Sequence, residues 1–134
     1  MSRYPKVVFP REFIDGYIRC ALWSSTDNAD DGGGEPLDKN YGRADIAPKT
    51  LREMMKDCSQ FCRANRKDIE ASGLSLARAG HDYWLNRNGH GAGFWDEKHR
   101  GEEADKALDR LDKASKADGS YDLYIGDDGK IHGQ

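Results

Sequence analysis

The sequence has no long apolar run and only three cysteines. Nowhere do about 18 apolar residues follow one another, so we expect no membrane-spanning helix. Cys20, Cys58 and Cys62 form an odd set, and the first residues lack the apolar segment of a secretory signal. An odd count outside a secretory context predicts free thiols in a reducing compartment. We therefore expect a cytoplasmic protein.

A basic charge balance is also missing. The formal net charge is −3 and the isoelectric point is about 5.8. Proteins that bind nucleic acid through its phosphates usually have a basic balance or a basic face. Nucleic acid is therefore a less favoured partner here than a protein or a small molecule. The thirteen aromatic residues (4 Phe, 3 Trp and 6 Tyr) argue against disorder, and the length of 134 residues predicts one domain over residues 1–134.

Apolar residues at helical spacing predict three helices, at about residues 11–23, 48–71 and 102–116. Gly16 in the first helix predicts a close approach by another element, and Gly73 is typical of a residue that ends a helix. Residues 25–45 are acidic and rich in glycine, which predicts a mobile loop. A calcium loop does not fit there, because Ala29 or Gly32 falls where an oxygen ligand is needed.

Residues 79–96, AGHDYWLNRNGHGAGFWD, hold two tryptophans, two histidines and four glycines. Apolar residues flank the glycine-rich centre at 88–93, which predicts a β-hairpin with its turn there. Residues 121–132 predict a second hairpin around an Asp-Gly turn. The expected fold is therefore α+β, with three helices packed on a small antiparallel β-sheet made of two hairpins.

The polar end of the first hairpin is the candidate binding surface. Glycine-rich backbone beside an arginine can cradle an anion, and aromatic rings can stack on a base. The same residues would also suit an aromatic core with a polar rim, so both interpretations stay open. The candidate ligand- or partner-binding residues are Trp84, Arg87, Asn88, His90 and Trp95.

A metal site is the alternative use of the same segment. His81, Asp82, His90 and Asp96 are possible ligands for a transition metal. The pair His81-Asp82 also resembles that of the HD-type phosphohydrolases, but those proteins need a histidine upstream, and none precedes His81. Cys58 and Cys62 lie one helical turn apart without a further ligand nearby in sequence. We expect no cofactor, and a small metal-dependent enzyme acting on nucleotides or nucleic acid remains an alternative.

The segment 81–96, together with residues 122–129 (DLYIGDDG) and residues 21–25 (ALWSS), resembles a group of small proteins of tailed bacteriophages and prophages. The resemblance covers most of the chain and implies expression in the cytosol of a bacterial host. It carries over no catalytic residue. It implies an accessory protein that acts as a non-enzymatic binding module on a host or defence component, either a protein or a small nucleotide. Single-stranded nucleic-acid binding by the aromatic residues is the remaining alternative.

Overall fold

The computed structural model describes residues 10–27, 34–89 and 92–134, and this part of the chain is mainly helical. The two strands pair antiparallel, with Tyr124 opposite His132. The predicted α+β fold with two hairpins is therefore wrong, because the described residues form the second hairpin and not the first. The elements are α1 (Arg11–Ser24), α2 (Pro48–Ala64), α3 (Arg66–Ser72), α4 (Leu76–Arg87), α5 (Glu102–Ala117), β1 (Leu123–Ile125) and β2 (Ile131–Gly133).

The segment predicted as the first hairpin forms helix α4 and, after a connection, a 3₁₀ helix at Phe94–Glu97. Ser75 starts α4 because its side chain accepts a hydrogen bond from the Arg78 backbone N–H at 3.1 Å. Tyr83, Trp84 and Leu85 are consecutive and all buried. A helix buried on nearly all sides shows neither a helical nor a strand period in its sequence, and this is why the spacing was misleading.

Helices α1 and α4 cross at two glycines. A methyl group on Gly16 would overlap the Ala77 carbonyl, and one on Gly80 would overlap the Phe13 carbonyl. The close approach predicted for Gly16 is thus confirmed. It brings the ring of Tyr17 to 5.3 Å from that of Tyr83, measured between centroids. Stacked and edge-on aromatic rings from α1, α2 and α4 make the centre of the core.

The other predicted elements agree more closely with the structure. The helices at α1 and α5 and the hairpin of β1 and β2 are confirmed near their predicted bounds. The predicted helix over residues 48–71 is divided at Asn65, whose side-chain amide donates to the Phe61 carbonyl at 2.9 Å. Gly73 ends α3 with a positive φ of 76°, as predicted.

The acidic loop has structure at its far end. Two 3₁₀ helices, Leu37–Lys39 and Arg43–Asp45, lie within it, and Leu37 is fully buried. Its central residues 28–33 lie outside the described residues. Among the helices that the structure describes, none is long and apolar enough to span a bilayer.

Replacing Gly80 with alanine tests the crossing of α1 and α4. The added methyl group meets the Phe13 backbone, which cannot move without shifting α1. We expect a loss of at least about 2 kcal/mol in the free energy of unfolding, measured by urea denaturation.

Gly42→Ala is the matched control, because Gly42 has a negative φ and open space around it. We expect it to change stability by no more than about 0.5 kcal/mol. Equal effects of the two substitutions would contradict the close crossing.

Candidate functional site

A groove of about 530 Å³ lies between the end of α1, one side of α4 and the residues around the 3₁₀ helix Phe94–Glu97. We call it the α4 groove. Its volume is within the range of sites that bind small molecules or single side chains. The residues lining it are Trp23, Ser24, Arg78, His81, Asp82, Leu85, Ala92, Gly93 and Asp96.

The outer wall of the groove is tied to α4 through Asn86. The Asn86 side chain accepts a hydrogen bond from the Phe94 N–H at 3.2 Å and donates one to the Asp112 carbonyl at 3.1 Å. Gly93 sits directly against Asn86 with a φ of 146°, where a side chain would collide with the amide. The buried amide therefore fixes where Ala92, Gly93 and Asp96 stand relative to the helix.

Asp82 forms the buried polar part of the groove wall, with a side chain only 1% exposed. Its Oδ1 lies 3.1 Å from Nδ1 of His81 and 3.6 Å from Nε of Arg78. Within the described residues, its Oδ2 receives no hydrogen bond from a donor. An ionised carboxylate in that position would be costly, since burial without partners penalises the charged form most.

A second carboxyl group, that of Glu97, reduces the energetic cost of burying Asp82. Glu97 Oε2 accepts a hydrogen bond from Arg78 Nε at 2.6 Å, and its carboxyl group lies close enough to that of Asp82 for the two to share a proton. Two carboxyl groups can share a hydrogen bond only when one of them keeps its proton. Asp82 and Glu97 therefore form a proton-sharing pair.

The surroundings decide which group keeps the proton. Burial, followed by the hydrogen bond to Glu97, raises the pKa of Asp82 to about 8, while Arg78 acts in the opposite direction. Burial also disfavours ionised Glu97, but hydrogen bonds from Asp82 and Arg78 outweigh it and lower the pKa of Glu97. Burial and the nearby Arg78 lower the pKa of His81. At neutral pH the wall thus holds a protonated Asp82, an ionised Glu97 and a neutral His81.

Apolar surface accompanies these polar groups. Leu85 and Ala92 line the groove, and Trp23 lies at its edge with 58% of its surface exposed. An exposed tryptophan beside a polar pocket offers a flat surface to a ligand's alkyl or planar part. Chemically, the groove can accept hydrogen bonds at its base and pack an apolar body near its opening.

Only part of the predicted binding surface is at this site. Trp84 is buried, and its Nε1 donates to Ser24 Oγ at 2.7 Å. Asn88 follows the end of α4, where its Oδ1 accepts the Tyr121 N–H at 2.8 Å. Trp95 is 49% exposed but does not line the groove. His90 lies outside the described residues.

Arg87 belongs to the core rather than to a loop tip. Its guanidinium group donates to Asp57 and to Tyr17 Oη, each at 2.9 Å, and to the Gly119 carbonyl at 2.7 Å. These contacts join α4 to α1, to α2 and to Gly119, which follows the end of α5. A buried arginine with all these partners fixes the structure and is not free to hold an anion.

Three of the four candidate metal ligands lie along the α4 groove. His81, Asp82 and Asp96 line the same groove, while His90 is not among the described residues. Within the described part of the chain, no three His, Cys, Asp or Glu side chains are placed to hold a metal ion. Asp82 is moreover engaged with Glu97 and His81.

Among the residues of the site that sequence reasoning missed are Trp23, Arg78 and Glu97. Arg78 and Asp82 are four residues apart, a spacing that places two side chains on one face once a helix is assumed. Glu97 had no comparable signal, because its contact with Asp82 depends on the path of the chain between α4 and the 3₁₀ helix.

Comparisons with protein families, with curated proteins and with solved structures found no match. The resemblance to phage proteins therefore stays a prediction.

The shared proton makes stability depend on pH. In the unfolded chain Asp82 is ionised above about pH 4, whereas in the folded protein it keeps its proton up to about pH 8. The folded state binds more protons in this interval, so its stability falls as pH rises. We expect the free energy of unfolding of the wild type, relative to that of Asp82→Asn, to fall by up to about 1.4 kcal/mol per pH unit between pH 6.5 and 8.

Urea denaturation at several pH values measures this difference. Asp122→Asn, at an exposed position, is the control and should not show this fall between pH 6.5 and 8. A pH-independent difference for Asp82→Asn would mean that Asp82 is ionised in the folded protein.

Proposed function

We propose that the protein is a non-enzymatic binding module and that the α4 groove receives a cationic side chain, arginine or lysine, of a partner protein. The observation that carries the proposal is the buried carboxyl group of Asp82 in the groove wall, whose Oδ2 receives no hydrogen bond from a donor of the described residues. An ammonium or guanidinium group supplies N–H donors and can replace the proton that Asp82 shares with Glu97.

The charge around the groove favours such a ligand over a nucleotide. Glu97 pairs with Arg78 at 2.6 Å and lies 4.0 Å from Arg100, and Asp96 lines the same groove. Once Asp82 is ionised, three carboxylates stand near these two guanidinium groups, and this surplus of negative charge attracts a cation and repels a phosphate. Of the two partner classes that the sequence suggested, the groove thus fits a protein side chain better than a small nucleotide.

The apolar part of the groove supports the same ligand. Lysine and arginine carry an apolar stem below the charged group, and Trp23 and Leu85 offer surface for it. An exposed tryptophan also attracts a cation through its ring face.

The cellular setting of this proposal comes from the resemblance to phage proteins. In that setting the chain is an accessory protein in the cytosol of an infected bacterium, and its partner is a host or defence protein. Its role would be to bind that partner and change its activity rather than to carry out chemistry.

A second candidate is an enzyme that uses the Asp82–Glu97 pair for acid–base chemistry. One observation favours it: two neighbouring carboxyl groups have pKa values moved in opposite directions. The two candidates predict different fates for a bound peptide. A binding module leaves the peptide intact, whereas an enzyme converts it during incubation. Mass spectrometry of a peptide incubated with the protein separates them.

Nuclear magnetic resonance of ¹⁵N-labelled protein tests the binding proposal. We expect methylguanidinium to shift the amide signals of Arg78, His81, Ala92 and Gly93, with a Kd of about 1 mM or weaker for so small a probe. A short peptide with a central arginine should shift the same signals at lower concentration. The signals of β1 and β2 serve as the internal reference.

Asp82→Asn should weaken this binding at least about tenfold, since it removes the group that becomes ionised when the cation binds. Asp122→Asn should leave it unchanged. Equal binding by Asp82→Asn and wild type, or shifts confined to the C-terminal hairpin, would contradict the proposal.

A further inference from the structure

Helix α2 carries a basic stripe on its outer surface. Its members are exposed and recur at intervals of three, four and seven residues. On an ideal helix they fall within about 60° of one another around the axis and extend over about 21 Å. We call this stripe the basic α2 face; it consists of Lys49, Arg52, Lys56 and Arg63.

The acidic residues of α2 lie beside this face rather than within it. Its two carboxylates are Glu53, which accepts the Tyr121 hydroxyl at 2.9 Å, and Asp57, which accepts Arg87 at 2.9 Å. Both therefore hold the neighbouring C-terminal segment and the core. None of the four cations forms an ion pair with a carboxylate in the described part of the chain. The acidic net charge of the whole chain thus hides a local excess of positive charge.

We infer that the basic α2 face binds the phosphate backbone of double-stranded nucleic acid, a function separate from that of the α4 groove. A duplex presents a dense row of charges, about one per 1.7 Å of its axis, which suits a linear array of cations. Carboxylates elsewhere on the protein oppose this little, because charges are screened beyond about 8 Å at physiological salt.

The composition of the face distinguishes a duplex from other anionic partners. All of α2 is described, and its exposed positions include no aromatic or large aliphatic side chain. Single-strand binding relies on bases stacked on aromatic rings, and protein interfaces have an apolar or aromatic centre. Contacts with duplex phosphates need only the cations, and they carry no sequence preference.

Fluorescence anisotropy with a labelled 20-base-pair DNA of random sequence tests this inference. We expect wild-type binding that weakens as NaCl rises from 25 to 150 mM, with a slope of about −3 to −4 in a plot of log K against log [NaCl] for four phosphate contacts. Arg52→Gln/Lys56→Gln should reduce the slope to about −2 and lower the affinity at 50 mM NaCl at least about tenfold.

Arg19→Gln/Lys113→Gln is the matched control, because it removes one arginine and one lysine at exposed positions on α1 and α5. It should bind DNA with the wild-type slope. Lys49→Gln/Arg63→Gln should repeat the loss from different residues, which guards against a folding defect in one variant. Asp82→Asn should bind DNA like wild type, whatever its effect on the groove.

Three results would overturn the inference. One is the absence of salt-dependent binding at 25 mM NaCl. Another is an equal loss of affinity in the control variant, which would make net charge the cause. The third is tighter binding of a single-stranded 20-mer or of polyglutamate, which would assign the face to single strands or to an acidic protein.

Discussion

The close crossing of α1 and α4 is the constraint on which the rest of the structure depends. Only glycine fits at Gly16 and at Gly80, and the short distance between the two helices lets Tyr17 stack on Tyr83 and meet Trp84 edge-on. The same crossing determines which side of α4 remains open. It leaves Arg78, His81 and Asp82 beside the end of α1, and thereby forms the α4 groove.

A buried carboxyl group is tolerated in this groove because it shares a proton. Asp82 would be an unpaired charge if it stood alone, but Glu97 accepts its proton in a hydrogen bond and is itself held by Arg78. The neighbouring Cys20 is not a reactive thiol, because burial raises its pKa to about 12. The polar reactivity of the site is thus confined to the carboxyl pair and His81.

The sequence allowed prediction of the elements whose pattern is local. Amphipathic spacing located α1 and α5, Gly73 marked a helix end, and an Asp-Gly turn marked the C-terminal hairpin. Prediction failed at α4, because the glycine-rich residues 88–93 predicted the turn of a hairpin, whereas α4 runs to Arg87 and Gly80 lies at a helix crossing. Glu97 could not be placed at all, since its role depends on tertiary contacts. Net charge was equally uninformative about how cations are distributed on α2.

The protonation state of Asp82 is the central claim, and it can be measured directly. We propose to follow the side-chain carboxyl ¹³C shift of Asp82 in labelled protein as a function of pH, with assignment by Asp82→Asn. We predict a neutral carboxyl group at pH 6.5 and a titration midpoint near the pKa of about 8. A midpoint near 4, the ordinary value for an exposed aspartate, would contradict the proton-sharing pair and the ligand chemistry that follows from it.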